Sequence, residues 1–312
     1  MLPMIIIAGP TAVGKTALAI WLAQQLNTEI ISADSMQVYQ AMDIGTAKPT
    51  PTEQLKVAHH LIDLVKPDQP FSVADYQEKF VKTVADLNIR HKIPLVVGGT
   101  GLYLRACLQG YALDNSAAAH PELRAELAAR AATHGNSDLY QQLTQVDPIA
   151  ATQIHPNDLR RIIRALEVYL TTGVPISRLA TKDAARFQTV YLWLNRHRAE
   201  LYRRIETRVD RMLEAGLVEE VIKLRKEGYA AACKPMQSLG YKQINQYLDG
   251  QVSLAEATRT IKQKTRNYAK RQLTWFKREP YDRELNLSGK DREFYPEILR
   301  YIEGRLSKLS NL

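Results

Sequence analysis

Apolar residues follow two rhythms along the chain. Short, unbroken, largely β-branched runs occur in "MIIIA" (Met4–Ala8), "TEIISAD" (Thr28–Asp34), "IPLVVGG" (Ile93–Gly99) and "QTVYLWLN" (Gln188–Asn195). Runs without polar alternation belong to strands covered on both faces. Between the first three lie segments with helical spacing, "TALAIWLAQQL" (Thr16–Leu26) and "SVADYQEKFVKTVADLNIRH" (Ser72–His91). The alternation predicts an α/β fold, a parallel sheet flanked by helices with right-handed crossovers. Near Tyr111 the rhythm changes. A loop through "LDNSAAAH" leads to an Ala-rich helix starting at Pro121, followed by helical segments punctuated by Pro, Asp and Gly. Residues 113–189 are thus expected to form an inserted all-helical domain, with 1–112 and 190–312 as the core. After Asn195 the pattern is helical again.

Composition narrows the class. With 312 residues, 45% hydrophobic and 24% charged, the chain is expected to be a soluble globular protein with a substantial core. The first apolar run is too short to cross a bilayer and follows no basic leader, so no membrane association and a cytoplasmic location are expected. Cys107 and Cys233 offer neither a disulfide framework nor metal-ligand spacing, and are read as ordinary thiols. The net charge of +9 is local: residues 196–280 carry 19 Lys and Arg against 10 Asp and Glu, while the remainder is balanced. A confined excess of this kind is the footprint of a polyanion partner.

The chemistry starts at "GPTAVGKT", Gly9, Pro10, Thr11, Ala12, Val13, Gly14, Lys15 and Thr16. Lying between a predicted strand and helix, it reads as a P-loop. Its glycines let amides turn toward an anion, Lys15 adds a point charge, and the Thr16 hydroxyl can hold Mg²⁺. The loop alone selects phosphate, not ATP. Asp34 follows the second strand and would enter the same cleft as a metal-shell ligand or general base. The strand before Thr100 ends in Gly98 and Gly99 without an acid, which argues against a motor or switch GTPase and suggests close approach of a ligand to the backbone.

Residues 259–278, "RTIKQKTRNYAKRQLTWFKR", hold eight cations and no acid. Cations on such a helix suit a phosphate backbone, while Trp275 and Phe276 are read as core residues. Arg160 and Arg164 share one helix face, which calls for a ligand or for acidic neighbours. His59 and His60 are adjacent and point apart, so structural roles are expected.

With "SADSMQVYQAMDIGTAKP", "HHLID", "VVGGTGLY", "HPNDLRRIIRALEVY" and "YAKRQLTWFKR" in this order after the P-loop, the chain resembles the tRNA dimethylallyltransferases of bacterial type. The resemblance runs from the P-loop to about Arg278. It implies transfer of the dimethylallyl group from dimethylallyl diphosphate to N6 of adenosine 37 in tRNA, next to the anticodon. It also implies that the loop binds the diphosphate with Mg²⁺ on Thr16. Asp34 is then the general base, and Lys15, Thr16 and Arg208 (the second arginine of "RIETR") stabilise the leaving group. By the same resemblance, contacts to the anticodon stem-loop fall on Asp34, Ser35, Met36, Gln37, Thr100, Arg124, Arg160, Arg161, Ile162, Ile163, Arg164, Gln237, Ser238, Leu239, Gly240, Tyr241 and Lys242. A monomer is expected. Three alternatives stay open: an isopentenyltransferase acting on free AMP, ADP or ATP, a P-loop small-molecule kinase, and a non-catalytic RNA-binding protein. The first two leave the inserted helices and the basic region with less to do, and the third has no need of Lys15 or Asp34.

Overall fold

In the computed structural model, residues 1–110, 120–179, 186–289 and 292–310 are described. Strand β1 is Leu2–Ala8, followed by helix α1 (Lys15–Gln25), β2 (Ile30–Ala33), α2 (Pro51–Lys56) and β3 (His59–His60). Next come α3 (Val73–Ile89), β4 (Leu95–Gly98) and α4 (Gly101–Gln109). The helices α5 (Pro121–His134), α6 (Asn136–Val146), α7 (Pro148–Gln153), α8 (Leu159–Thr172) and α9 (Ile176–Leu179) precede β5 (Phe187–Asn195). The chain finishes with α10 (Arg198–Glu214), α11 (Leu217–Lys226), α12 (Tyr241–Leu248), α13 (Leu254–Phe276), β6 (Arg283–Asn286) and α14 (Tyr295–Ser310). The loop expected over 113–119 lies outside the described residues.

Contacts divide the chain into two units, Met1–Leu108 with Ala185–Leu312, and Gln109–Ala184. The first is built on a six-stranded sheet of order β3-β2-β4-β1-β5-β6, with every neighbouring pair parallel. β1 lies in the middle, in register with β4 (Ala8 beside Gly98) and β5 (Ala8 beside Trp193). Its unbroken apolar run is needed because both faces are covered. Met4, Ile6 and Ala8 join one core with Tyr76 and Phe80 of α3, Tyr241 of α12 and Phe276 of α13. Ile5 and Ile7 join another with Leu18 and Leu22 of α1 and Ile298 and Ile302 of α14. The carboxyl end of β1 sits where strand order departs to either side, which is where such sheets bind ligands.

Two short edge strands, β3 and β6, were not expected from the sequence. "HH" and "RELN" have no strand periodicity of their own. They are strands because Ile30 and Ile31 of β2, and Leu192 to Asn195 of β5, offer them open parallel edges.

The second unit is helical, with a core that includes Leu127, Leu139, Leu143, Ile162 and Leu166. Asp147 and Asp158 cap α7 and α8 by accepting from the amides of Ala150 and Arg161. Inside lies the fully buried carboxylate of Glu167, which accepts hydrogen bonds from His120 N (2.8 Å), Arg124 Nε (2.8 Å) and Arg164 Nη1 (2.7 Å). Burial alone would push this carboxyl up. The hydrogen bonds from Arg124 and Arg164 outweigh it and hold the group below the usual range.

Close approach in the sheet depends on Gly98, where an added Cβ would come 2.1 Å from Ala33 O. Gly98→Ala is therefore expected to cost about 1–3 kcal/mol of unfolding free energy or more. Gly304, inside α14 with nothing within 4 Å of an added Cβ, is the contrast. Gly304→Ala should stabilise by about 0.5–1 kcal/mol. Urea unfolding of the two variants beside the parent protein checks both signs.

Candidate active site

The loop from Gly9 to Gly14 joins β1 to α1. It can turn this tightly because Gly14 takes φ +114° and because a Cβ on Gly9 would meet Leu194 O at 2.7 Å. Its carbonyls are occupied by cations. The Lys15 ammonium donates to Gly9 O (2.9 Å) and Pro10 O (2.8 Å). Arg204 Nε donates to Ala12 O (3.0 Å) and Arg196 Nε to Val13 O (2.9 Å). With the carbonyls engaged this way, the amides of Gly14, Lys15 and Thr16 remain at the start of α1, where no intrahelical acceptor exists. That arrangement suits an anion.

The loop borders a cavity of about 1600 Å³ within the sheet-containing unit, which Asp34, Arg208, Tyr268 and Arg271 also line. Lys15 is pushed down to about 7, first by burial and then by the nearby Arg208 guanidinium, while Asp34 pulls it back up. Arg208 is itself lowered by burial and supported by Asp34. Two cations therefore share one carboxylate, and an incoming diphosphate would relieve their repulsion. Tyr268 lines the same cavity, its hydroxyl pushed up by burial and then by Asp34.

Asp34 projects from the end of β2. Its Oδ1 accepts from Met36 N (2.9 Å), and Thr100 Oγ1 accepts from Ser35 N (3.0 Å). The Gln37 carboxamide is turned inward, accepting from Ser32 Oγ (2.9 Å) and donating to Ala47 O (3.1 Å). The following loop is anchored on Glu220 of α11, which accepts from Asp43 N (2.9 Å), Ile44 N (2.7 Å), Gly45 N (3.1 Å) and the Tyr241 hydroxyl (2.6 Å). Tyr241 has no exposed surface, and its ring would lie 2.4 Å from a Cβ on Gly45. Gly240 is buried as well. In this stretch the surface left for a partner belongs to Gln237 and Lys242, which are exposed, and to the half-buried Ser238 and Leu239.

Several sequence readings change here. At Gly98 and Gly99 the protein itself approaches closely, through Ala33 O at the first and Gln272 Nε2 at the second, and Gly99 also lines the cavity. The basic helix α13 is less free than its composition suggests. Lys262 pairs with Asp210 (2.6 Å) and Arg266 with Glu206 (2.5 Å), both on α10, whereas Lys264 and Arg271 line the cavity. Phe276 is buried, and Trp275 lies under the Arg105 guanidinium at 4.0 Å. In the helical unit, Arg124 and Arg164 have their acidic neighbour in Glu167, and Arg161 has Asp158 at 3.4 Å. Ile162 and Ile163 are buried, leaving a partner no side-chain surface at the first and little at the second. Arg160 is exposed and makes no ion pair among the described residues. His60 Nε2 lies 2.6 Å from Glu29 Oε2, and His59 Nδ1 lies 2.8 Å from Val57 O, so both rings serve the fold. Arg196, Arg204, Glu220 and Gln272 escaped the sequence reading. Only the tertiary structure brings them to the loops they hold.

A family model described as IPP transferase matches residues 37–279. The tRNA dimethylallyltransferase of Roseiflexus sp. (strain RS-1) is 50% identical over 280 residues, 90% of this chain and 92% of that protein. Its counterpart from Carboxydothermus hydrogenoformans is also 50% identical, over 89% of each chain. Among solved structures, the tRNA isopentenylpyrophosphate transferase of Bacillus halodurans aligns with a TM-score of 0.75 and 42% identity, covering 100% of this chain and 99% of that one. A eukaryotic dimethylallyltransferase acting on tRNA aligns with a TM-score of 0.81 and 30% identity, covering 100% of this chain and 80% of that one.

Because Lys15 is held at about 7 in the folded chain against 10.5 when unfolded, the folded protein gives up this proton first. The unfolded state binds more protons between these values, so Lys15 makes stability rise with pH across that window. The parent protein should thus gain thermal stability relative to Lys15→Met between pH 7 and pH 10. Saturating pyrophosphate should remove the gain by restoring the charge. A flat difference across the window would contradict the electrostatic reading.

Proposed function

The chain belongs to the IPP transferase family, and from that premise we propose that it transfers the dimethylallyl group of dimethylallyl diphosphate to N6 of adenosine 37 in tRNA, beside the anticodon. The observation that carries the reading is the pair of half-buried cations, Lys15 and Arg208, that line one cavity with Asp34. A leaving diphosphate needs the cations and a weakly nucleophilic amine needs the carboxylate.

In the reaction, the bond between the allylic carbon and the diphosphate oxygen breaks as N6 bonds to that carbon. The exocyclic amine is a poor nucleophile because its lone pair is delocalised into the ring. Asp34, with Oδ1 fixed by Met36 N, takes the N6 proton as the new bond forms. Lys15, Arg208 and the amides at the start of α1 receive the negative charge that develops on diphosphate. Thr16 Oγ1 would hold Mg²⁺ together with diphosphate oxygens. Its hydroxyl, at the start of α1 in the cavity lining, is the kind of hard oxygen donor this ion takes. When bound, the ion would neutralise charge on the leaving group.

Adenosine 37 must leave its stack to reach Asp34, at a cost of a few kcal/mol. Ser35, Met36 and Thr100 stand beside Asp34 and are suited to receive the base. Lys264, Arg271 and Lys242 in the first unit, and Arg160 in the helical unit, are suited to the RNA backbone. Among the described residues, no helix is long and apolar enough to cross a membrane. The further reading is of a cytoplasmic protein acting as a monomer.

A single-turnover assay with Mg²⁺ and dimethylallyl diphosphate tests the proposal, using an unmodified anticodon stem-loop in one series and AMP or ATP in the other. Prenylated adenosine confined to the stem-loop is expected. Prenylated free nucleotide would overturn the choice of acceptor. Asp34→Asn should slow transfer by about 10²–10⁴-fold with stem-loop affinity within about twofold, and an equal loss of both would remove Asp34 from the role of base. Arg160→Ala and Lys264→Ala should each flatten the salt dependence of stem-loop binding, by about 0.7 in log–log slope for a single-stranded contact.

A further inference from the structure

We infer that Gln272 is the positioning residue that fixes the diphosphate loop relative to the general base. The inference rests on the function proposed above. Gln272 belongs to α13, is 5% exposed, and uses both ends of its carboxamide. Its Oε1 accepts from Thr11 N at 2.8 Å, and its Nε2 donates to Gly99 O at 2.9 Å. The first partner lies in the loop between β1 and α1. The second directly follows β4 and precedes Thr100, whose Oγ1 accepts from Ser35 N beside Asp34. One side chain therefore ties the strand end that carries the leaving-group cradle to the one that flanks the proton acceptor.

The fit is specific in two respects. Gly99 is required for it, since an added Cβ would lie 2.3 Å from Gln272 Nε2. The bridge also needs an acceptor toward Thr11 and a donor toward Gly99. A carboxamide has both, an ionised carboxylate lacks the donor, and a thioether has no donor and only a weak acceptor. Both polar ends of Gln272 are engaged by the protein, so it acts by holding others. Its neighbours Tyr268 and Arg271 on α13 line the same cavity, so the helix that presents a cation to the RNA also sets the shape of the cradle.

The experiment compares the parent protein with Gln272→Met, Gln272→Glu and Gln272→Asn. It measures the Kd of inorganic pyrophosphate by calorimetry in Mg²⁺ buffer and the Kd of an anticodon stem-loop. Each value is expressed relative to the parent at the same pH. Gln272→Met should weaken pyrophosphate about tenfold at every pH, the loss of two hydrogen bonds, with stem-loop affinity within about twofold. Gln272→Glu should be weakened further at pH 8. It should recover toward the parent at low pH, because a protonated carboxyl again offers one acceptor and one donor. Thermal unfolding monitors the fold; if Gln272→Glu does not fold, Gln272→Asn, too short to span both partners, is expected to match Gln272→Met. Unchanged pyrophosphate affinity in the variants, no recovery of folded Gln272→Glu at low pH, or parallel loss of stem-loop affinity would each overturn the inference. Absence of pyrophosphate binding by the parent protein would instead overturn the function proposed above.

Discussion

Two half-buried basic side chains grouped with one carboxylate form the constraint on which the site depends. Lys15 and Arg208 oppose each other beside Asp34, and burial lowers both. Such an arrangement is unfavourable without an anion. It persists because the surrounding structure leaves the two cations little choice. α1 begins at Lys15, α10 carries Arg208 on the face that lines the cavity, and the loop carbonyls of Gly9 and Pro10 fasten the ammonium. Stability withheld from the empty site becomes affinity when a diphosphate enters.

Around that centre, charge is handled by a few inward-facing polar side chains. Arg196 and Arg204 hold the outer carbonyls of the loop, Gln272 holds its Thr11 amide, and Glu220 gathers three consecutive amides of the segment after Asp34. These residues define loops that have little apolar material of their own. The helical unit repeats the device with Glu167, which orders Arg124 and Arg164. An arginine that looks like a ligand contact in sequence can thus be serving as the counter-ion of a buried acid.

The positive charge on α13 shows the same division of labour. Lys262 and Arg266 answer acids on α10 and join two helices, whereas Lys264 and Arg271 border the cavity. A count of cations overstates the surface available to a polyanion, because half-exposed pairs on packed helices are already compensated. The cations left on the cavity side are fewer, yet they lie where the proposed reaction needs them.

Elements whose information is local are legible in the chain. The apolar runs of β1, β2, β4 and β5 declare strands covered on both faces, and the glycines and lysine of the loop after β1 declare an anion site. Asp34 is legible because it ends a strand, and the ordered motifs carry the family. Features that depend on residues far apart in the chain arise only on folding. β3 and β6 exist through their neighbours' edges. Tyr241, Ile162 and Ile163 lie in motifs that suggest contact with a partner, and packing closes them off. Gln272 meets Thr11 across 261 positions and Gly99 across 173, and Glu220 meets Gly45 across 175. A glutamine inside a basic helix looks the same in sequence whether it faces water or joins two loops, because hydrogen bonding at that range depends on where folding brings the partners.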